Sequence, residues 1–349
     1  MEGNQMKKRN VINLIKYYVE NNDAGFRNEA YDVARDFDAS GDTQLAEYIM
    51  ALLSDANTFV PQMGQEDAAF FEKIEPSGDS LWLPECITKD ILGIVHAVSH
   101  NVGINKFLFQ GSPGTGKTEA VKQLARILKR EIYMVDFAAV IDSKLGQTQK
   151  NIAGLFHEIN NFVHPERVLV LFDEIDAVAL DRTNQNDLRE MGRATSAMLK
   201  GMDYMNENVV MVATTNLYQY FDKAMLRRYD SVIDFNRYTR EDLQKISEEF
   251  LDRFLTSFKL ANKDIRIFRK IIGLLDSIPY PGELKNLIRT AVAFSDPEDG
   301  NDYLRRMYYM VTNKNPEDLK ELQLQKFTLR EMEILTKTAK STIARELKE

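Results

Sequence analysis

The stretch Lys106–Thr118, KFLFQGSPGTGKT, decides how the rest of the chain is read. A short apolar strand runs into a glycine-rich turn, and Lys117-Thr118 open a helix that continues EAVKQLARIL. Gly111, Gly116, Lys117 and Thr118 fit G-x-x-x-x-G-K-[ST], with Ser112, Pro113, Gly114 and Thr115 between the glycines. Glycine lets backbone fold tightly round an anion, so that successive N–H groups and a helix N-terminus point at phosphate. In that arrangement Lys117 reaches the β- and γ-phosphates of a nucleotide, and the Thr118 hydroxyl ligates magnesium.

Outward from this loop, short apolar strands alternate with helical stretches: Phe107–Phe109, Ile132–Val135, Val168–Phe172, Val209–Val212 and Val232–Phe235. Such alternation predicts a parallel sheet with helices on both faces. The third strand ends in VLVLFDEID, residues 168–176, which delivers two adjacent carboxylates at a C-terminal strand edge, where ligands bind in open α/β sheets. Asp173 would hold magnesium through water, and Glu174 would orient and deprotonate the attacking water. The strand VVMVATTN ends on Asn216, placed to position that water or touch the γ-phosphate if the two strands are neighbours. DKAMLRRYD, residues 222–230, carries Arg227 and Arg228, whose planar guanidinium forks suit phosphate.

The order and spacing of these motifs resemble the AAA+ ATPases over about residues 83–295. GSPGTGKT resembles their Walker A, VLVLFDEID their Walker B and VATTN their sensor 1, while LRRYD stands where the family keeps arginine fingers. The resemblance implies an α/β P-loop core with a five-stranded parallel sheet of order 5-1-4-3-2 and a helical lid. It also implies ATP and Mg²⁺ as ligands, ATP hydrolysis, and ring assembly, often hexameric. Arg227 and Arg228 would then act in the neighbouring subunit's site; Arg182 and the stretch REMGRATSAMLKGMD resemble the family's helix after Walker B, with Arg193 a subunit-contact residue. PGELKNLIR resembles sensor 2, with Lys285 where many relatives have arginine. IDSKLGQTQKNI resembles the pore loop of protein-threading members, but Lys144 and Leu145 precede Gly146 and no aromatic residue is present. That departure weighs against processive threading of a polypeptide.

Five segments follow. Residues 1–54 read as a helical bundle, one face of which carries Leu14, Ile15, Tyr18 and Val19. Residues 55–80, acidic and broken by Pro61, Gly64, Pro76 and Gly78, read as a linker. Residues 81–238 are the α/β ATPase domain, 239–300 the helical lid, and 301–349 a helical tail. Within the tail, LREMEILTKTAKSTIAREL resembles a helix-turn-helix whose Lys340, Ser341, Thr342 and Arg345 are residue types that contact DNA. Glu333 and Lys337 stand where such motifs usually hold alanine and glycine.

A net charge of −8 gives the chain no global attraction to nucleic acid or acidic membranes. The single cysteine, Cys86, suits a reducing compartment, and the absence of a signal-like segment or a long apolar run predicts a cytoplasmic protein without a membrane span. His96 and His100 are spaced like metal ligands on a helix, yet no glutamate follows His96 and no third ligand is evident. The expected function is a ring-forming ATPase that remodels a protein partner. The bundle, the LGQT loop and LRRYD also resemble bacterial stand-alone AAA ATPases encoded beside subtilisin-like serine proteases, which implies a protease acting in trans. A DNA-associated AAA+ regulator or defence component using the tail, and a nucleotide-gated scaffold, are the alternatives.

Overall fold

The computed structural model describes residues 8–20, 22–39, 41–53, 69–75, 82–141, 147–176, 188–221, 223–258 and 262–348. Lys144, Leu145, Gly146 and Arg182, singled out above, lie outside the described residues. The chain divides into two units, Met1–Gly64 and Gln65–Glu349.

In the first unit, α1 (Lys8–Val19), α2 (Asp23–Ala39) and α3 (Thr43–Leu53) pack with α2 in the middle. Ala30, Val33, Ala34, Ala46 and Leu53 form a core of mostly small side chains. The expected inward face of α1 needs correcting: Ile15, Tyr18 and Val19 are exposed. The helix is turned instead so that Asn13 donates to Glu29 and Tyr17 lies against Gly25, which leaves no room there for a Cβ. Period alone locates an apolar stripe, but a polar tie and a ring over glycine set which stripe faces in.

The second unit is built on a six-stranded sheet. Its strands are β1 (Phe71–Ile74), β2 (Lys106–Gln110), β3 (Glu131–Val135), β4 (Val168–Phe172), β5 (Val210–Thr215) and β6 (Ser231–Asp234). They lie in the order β1-β3-β4-β5-β2-β6, and all neighbours are parallel except β1 with β3. Without β1 this is the expected 5-1-4-3-2 order. The difference is β1 itself, an antiparallel edge strand inside the stretch read as linker: Phe71 pairs with Val135 and Ile74 with Ile132. Four residues of FEKI are too short to show a period of two, so the strand becomes visible only through its partner.

Helices α4 (Glu85–Ser99), α5 (Lys117–Leu128), α6 (Phe137–Val140), α7 (Gln147–Asn160), α8 (Leu188–Asp203) and α9 (Lys223–Leu226) accompany the sheet. Ile87, Ile91 and Ile94 of α4 and Val121 and Leu124 of α5 cover Phe107, Phe109, Leu169, Leu171, Val210 and Val212. Every residue of β4 and β5 is buried, as expected for central parallel strands covered on both faces. His96 and His100 are both exposed, His100 Nδ1 lies 2.8 Å from the His96 carbonyl, and among the described residues no cluster of metal-ligating side chains forms.

Beyond β6 the chain is helical: α10 (Arg240–Ser257), α11 (Ile265–Gly273), α12 (Pro281–Ala293), α13 (Asp302–Thr312), α14 (Leu319–Leu324), α15 (Leu329–Thr336) and α16 (Lys340–Glu346). A capping box on Thr239 and Asp242 starts α10, Pro281 occupies the first turn of α12, and a second capping box on Thr328 and Glu331 starts α15. Lid and tail, separated above at residue 300, share one apolar core. Leu243, Ile246, Ile271, Leu284 and Ile288 pack with Tyr303, Met307, Phe327, Met332, Leu335 and Ile343. The turn Asp296–Gly300 reads as an end because its composition is turn-like, yet buried Tyr303 and Leu304 bring the chain straight back onto the lid. The helix-turn-helix stretch does form two short helices. Lys337 takes the left-handed conformation (φ 59°) that glycine usually fills, and Lys340 N donates to the Glu333 carboxylate. No helix among the described residues is long and apolar enough to cross a membrane.

Candidate active site

Register brings the expected motifs together. Phe172 pairs with Ala213 and Gln110 with Thr215, so the chain leaves β2, β4 and β5 side by side at Gly111, Asp173 and Asn216. The glycine loop is tied down where it leaves β2, because Gly111 N donates to the Thr215 carbonyl (3.2 Å) and Ser112 N to Asn236 Oδ1 (2.8 Å). Gly116 caps α5 in a left-handed conformation (φ 90°) that side-chain-bearing residues rarely adopt.

Lys117 is the most constrained polar side chain of the site. It is 7% exposed, and its Nζ donates to the carbonyls of Gly111 (2.7 Å) and Ser112 (3.0 Å) and to Asn216 Oδ1 (2.8 Å). Burial lowers its pKa, and nearby Asp173, Asp176 and Glu174 oppose that shift by favouring the ammonium. Thr118 Oγ1 donates to Asp173 Oδ1 at 2.9 Å, and Thr214 Oγ1 donates to the same carboxylate oxygen at 2.7 Å. A hydroxyl and a carboxylate held together in this way are a hard oxygen donor pair facing a phosphate cleft, which fits magnesium.

Glu174 stands in left-handed backbone (φ 51°), an uncommon conformation for a residue with a side chain. It is pinned there from β5: Glu174 N donates to Thr214 Oγ1 (2.8 Å) and Ile175 N to the Thr214 carbonyl (3.0 Å). Asn216 Nδ2 reaches Glu174 Oε1 at 3.4 Å, while Thr215 Oγ1 and Asn216 N both donate to Asp176. One amide side chain therefore touches Lys117 through its oxygen and Glu174 through its nitrogen.

These groups line an open cleft of about 350 Å³ bounded by Pro113, Gly114, Gly116, Lys117, Thr118, Asp173, Glu174 and Asn216. Lys285 lines the same cleft from α12. Gly111, Ser112 and Thr115 build the loop without lining it. Sequence reasoning missed Thr214, Glu119, Phe250, Arg253 and Gly282, which also line the cleft, and it missed the supports Asp176, Asn236 and Tyr238. Thr214 was within reach, since its hydroxyl stands near the end of β5, two residues before Asn216.

The lid is fastened to the loop at two points. Tyr238 OH donates to the Thr115 carbonyl (2.7 Å) and Gly282 N to the Gly114 carbonyl (2.8 Å). A Cβ at Gly282 would come within 2.8 Å of Gly114 Cα, so the contact is backbone against backbone.

Arg227 and Arg228 do not line the cleft, and they part company. Arg228 makes a two-armed pair with Asp203 (3.1 and 3.2 Å) and donates to the Ala224 carbonyl (3.0 Å), which anchors the turn after α9 to the end of α8. The fork of Arg228 is thus engaged within its own chain. Arg227 is exposed and makes no side-chain hydrogen bond or ion pair among the described residues. Arg193 is exposed on α8.

A family model described as "ATPase family associated with various cellular activities (AAA)" matches residues 107–237. Among curated proteins, the chain is 33% identical over 170 residues to a 26S proteasome regulatory subunit homolog from Methanothermobacter thermautotrophicus, covering 48% of this chain and 45% of that protein. It is 31% identical over 180 residues to the AAA family ATPase y4kL of Sinorhizobium fredii, covering 49% of this chain and 53% of the other. It is 30% identical over 209 residues to the peroxisomal ATPase PEX6 of Yarrowia lipolytica, covering 58% of this chain and 19% of PEX6. The chain thus spans about half the length of the first two relatives and far less of the third. A chain in the solved HORMA:CdnC:Trip13 complex of E. coli MS115-1 shares the fold at 18% identity and a TM-score of 0.53, covering 71% of this chain and 96% of its own. With the glycine loop, the paired acids and the strand-end asparagine closed round one cleft, residues 107–237 of the chain match the AAA ATPase domain family.

Proposed function

We propose that the chain hydrolyses ATP in a ring of identical subunits and uses the cycle to remodel a protein partner. The observation that carries the chemistry is the bridge Lys117–Asn216–Glu174 beside the Thr118–Asp173 pair. Backbone N–H groups of the loop and Lys117 bind the phosphates, and entry of phosphate draws Lys117 Nζ from the loop carbonyls. Thr118 and Asp173 would hold magnesium, which when bound would neutralise phosphate charge. Glu174 accepts the proton of the attacking water, and Asn216 orients water and carboxylate together.

Ring assembly is supported by the exposed Arg227, which sits outside its own chain's cleft and makes no side-chain hydrogen bond or ion pair among the described residues. Supplied by a neighbour, such an arginine raises hydrolysis by roughly 10³–10⁵-fold in P-loop enzymes. A protein as the remodelled partner is supported by the names of the relatives, a proteasome regulatory subunit homolog and a peroxisomal ATPase. A subtilisin-like protease supplied in trans is a narrower version of the same reading, supported by the motif resemblance alone.

Complementation tests the shared site. Glu174→Gln and Arg227→Ala proteins should each be nearly inactive, while a mixture should recover turnover. In the mixture, some interfaces pair an intact Glu174 with the intact Arg227 of the Glu174→Gln subunit. A mixture that co-assembles and stays inactive would refute the trans arrangement.

A further inference from the structure

The lid contributes two cations to the cleft, and they differ in kind. Lys285, on α12, is exposed. Arg253, on α10, is half-buried and follows Phe250 by three residues, so the two share one face of the helix and line the cleft together. Across from them Lys117 is engaged with two loop carbonyls and Asn216. A half-buried guanidinium is less screened by solvent than an exposed ammonium, and its planar fork matches two phosphate oxygens at once. The helix that carries it is anchored near the loop, since Tyr238, just before the Thr239 cap, donates to Thr115.

We propose that Arg253 is the lid's main phosphate-binding residue: its guanidinium takes the terminal phosphate of ATP in a two-armed pair, with Lys285 an auxiliary point charge. The inference rests on the ATPase reading above. It makes the first lid helix, rather than the helix bearing Lys285, the element that distinguishes ATP from ADP. The γ-phosphate draws α10 towards the glycine loop, and its release lets α10 relax while the Tyr238 and Gly282 ties persist.

The test is equilibrium titration of the full chain with fluorescent N-methylanthraniloyl ATP and ADP, with thermal melts as a folding control. Arg253→Ala should lower the preference for ATP over ADP about tenfold, equivalent to about 1.4 kcal/mol, with ADP affinity within about twofold of wild type. Arg253→Lys should recover part of that preference, because it restores the charge without the fork. Lys285→Ala should change the ratio by less than Arg253→Ala. If Arg253→Ala melts too low to titrate, Arg253→Gln keeps the bulk of the side chain and serves the same comparison. An unchanged ATP-to-ADP ratio in the Arg253 variants, or an equal loss of both nucleotides, would overturn the inference while the ATPase reading stands. Failure of the wild-type chain to bind either nucleotide would overturn both.

Discussion

The two walls of the nucleotide cleft are held in different ways. On the wall made by the loop and the strand ends, polar groups satisfy one another: Lys117 fills two carbonyls and Asn216, Thr214 serves both Asp173 and the Glu174 amide, and Asp176 receives Thr215 and Asn216. The opposite wall belongs to a helical body whose position comes from apolar packing, and it meets the loop through two backbone carbonyls, those of Thr115 and Gly114. A wall of interlocked hydrogen bonds is stiff, since a bond broken without a replacement partner costs free energy. A wall resting on two ties can move as a unit. On the proposed reading, chemistry belongs to the first wall and nucleotide-dependent motion to the second.

Substitutions can break or sharpen this contrast. The largest effect is expected outside both walls, where Arg227→Ala should cut turnover roughly 10³-fold or more in a steady-state phosphate-release assay, with nucleotide affinity unchanged. Weak binding in that variant would mean that Arg227 serves its own cleft. Glu174→Gln should slow hydrolysis by about 10²–10⁴-fold and trap bound ATP, measurable by single-turnover quench. Near-normal turnover would remove Glu174 as the base.

Gly282→Ala attacks the second wall. Its methyl group meets Gly114 Cα, so we expect about 1–3 kcal/mol of strain, visible as a lower melting temperature and weaker nucleotide binding together. An unchanged melt would show that the lid yields without cost. The smallest effect is expected from Arg228→Ala, which loses a partly exposed pair and should cost about 1 kcal/mol or less with assembled turnover largely kept. Arg228 lowers the pKa of Asp203, chiefly by the hydrogen bond to its carboxylate. The stabilisation is therefore complete above the ordinary value of 3.8 and is lost as pH falls through the depressed folded value, so wild-type and variant melts should converge in acid.

The same contrast explains what could be read from residues alone. Lys117, Thr118, Asp173, Glu174 and Asn216 were legible as residues that gather round one cleft, because each stands in a recognisable motif that follows an apolar strand. Arg253 and Phe250 were not legible. Both occupy an ordinary amphipathic helix, and only the packing of α10 against α12 decides that this face looks into a cleft. Arg227 and Arg228 are indistinguishable in sequence, and what separates them is Asp203, which arrives from the end of another helix. Strand β1 was hidden for a similar reason, its four residues being specified by pairing with β3 rather than by their own pattern.

The contact between Gly114 and Gly282 also has a consequence for descent. A lineage can exchange Arg253 or Lys285 and surrender affinity by degrees, because charge at the rim is graded. At Gly282 the smallest possible side chain meets the main chain of Gly114, and Gly114 itself holds a left-handed conformation (φ 76°). Two positions far apart in the chain therefore drift as one or not at all, so among descendants of this protein the pair should be inherited together.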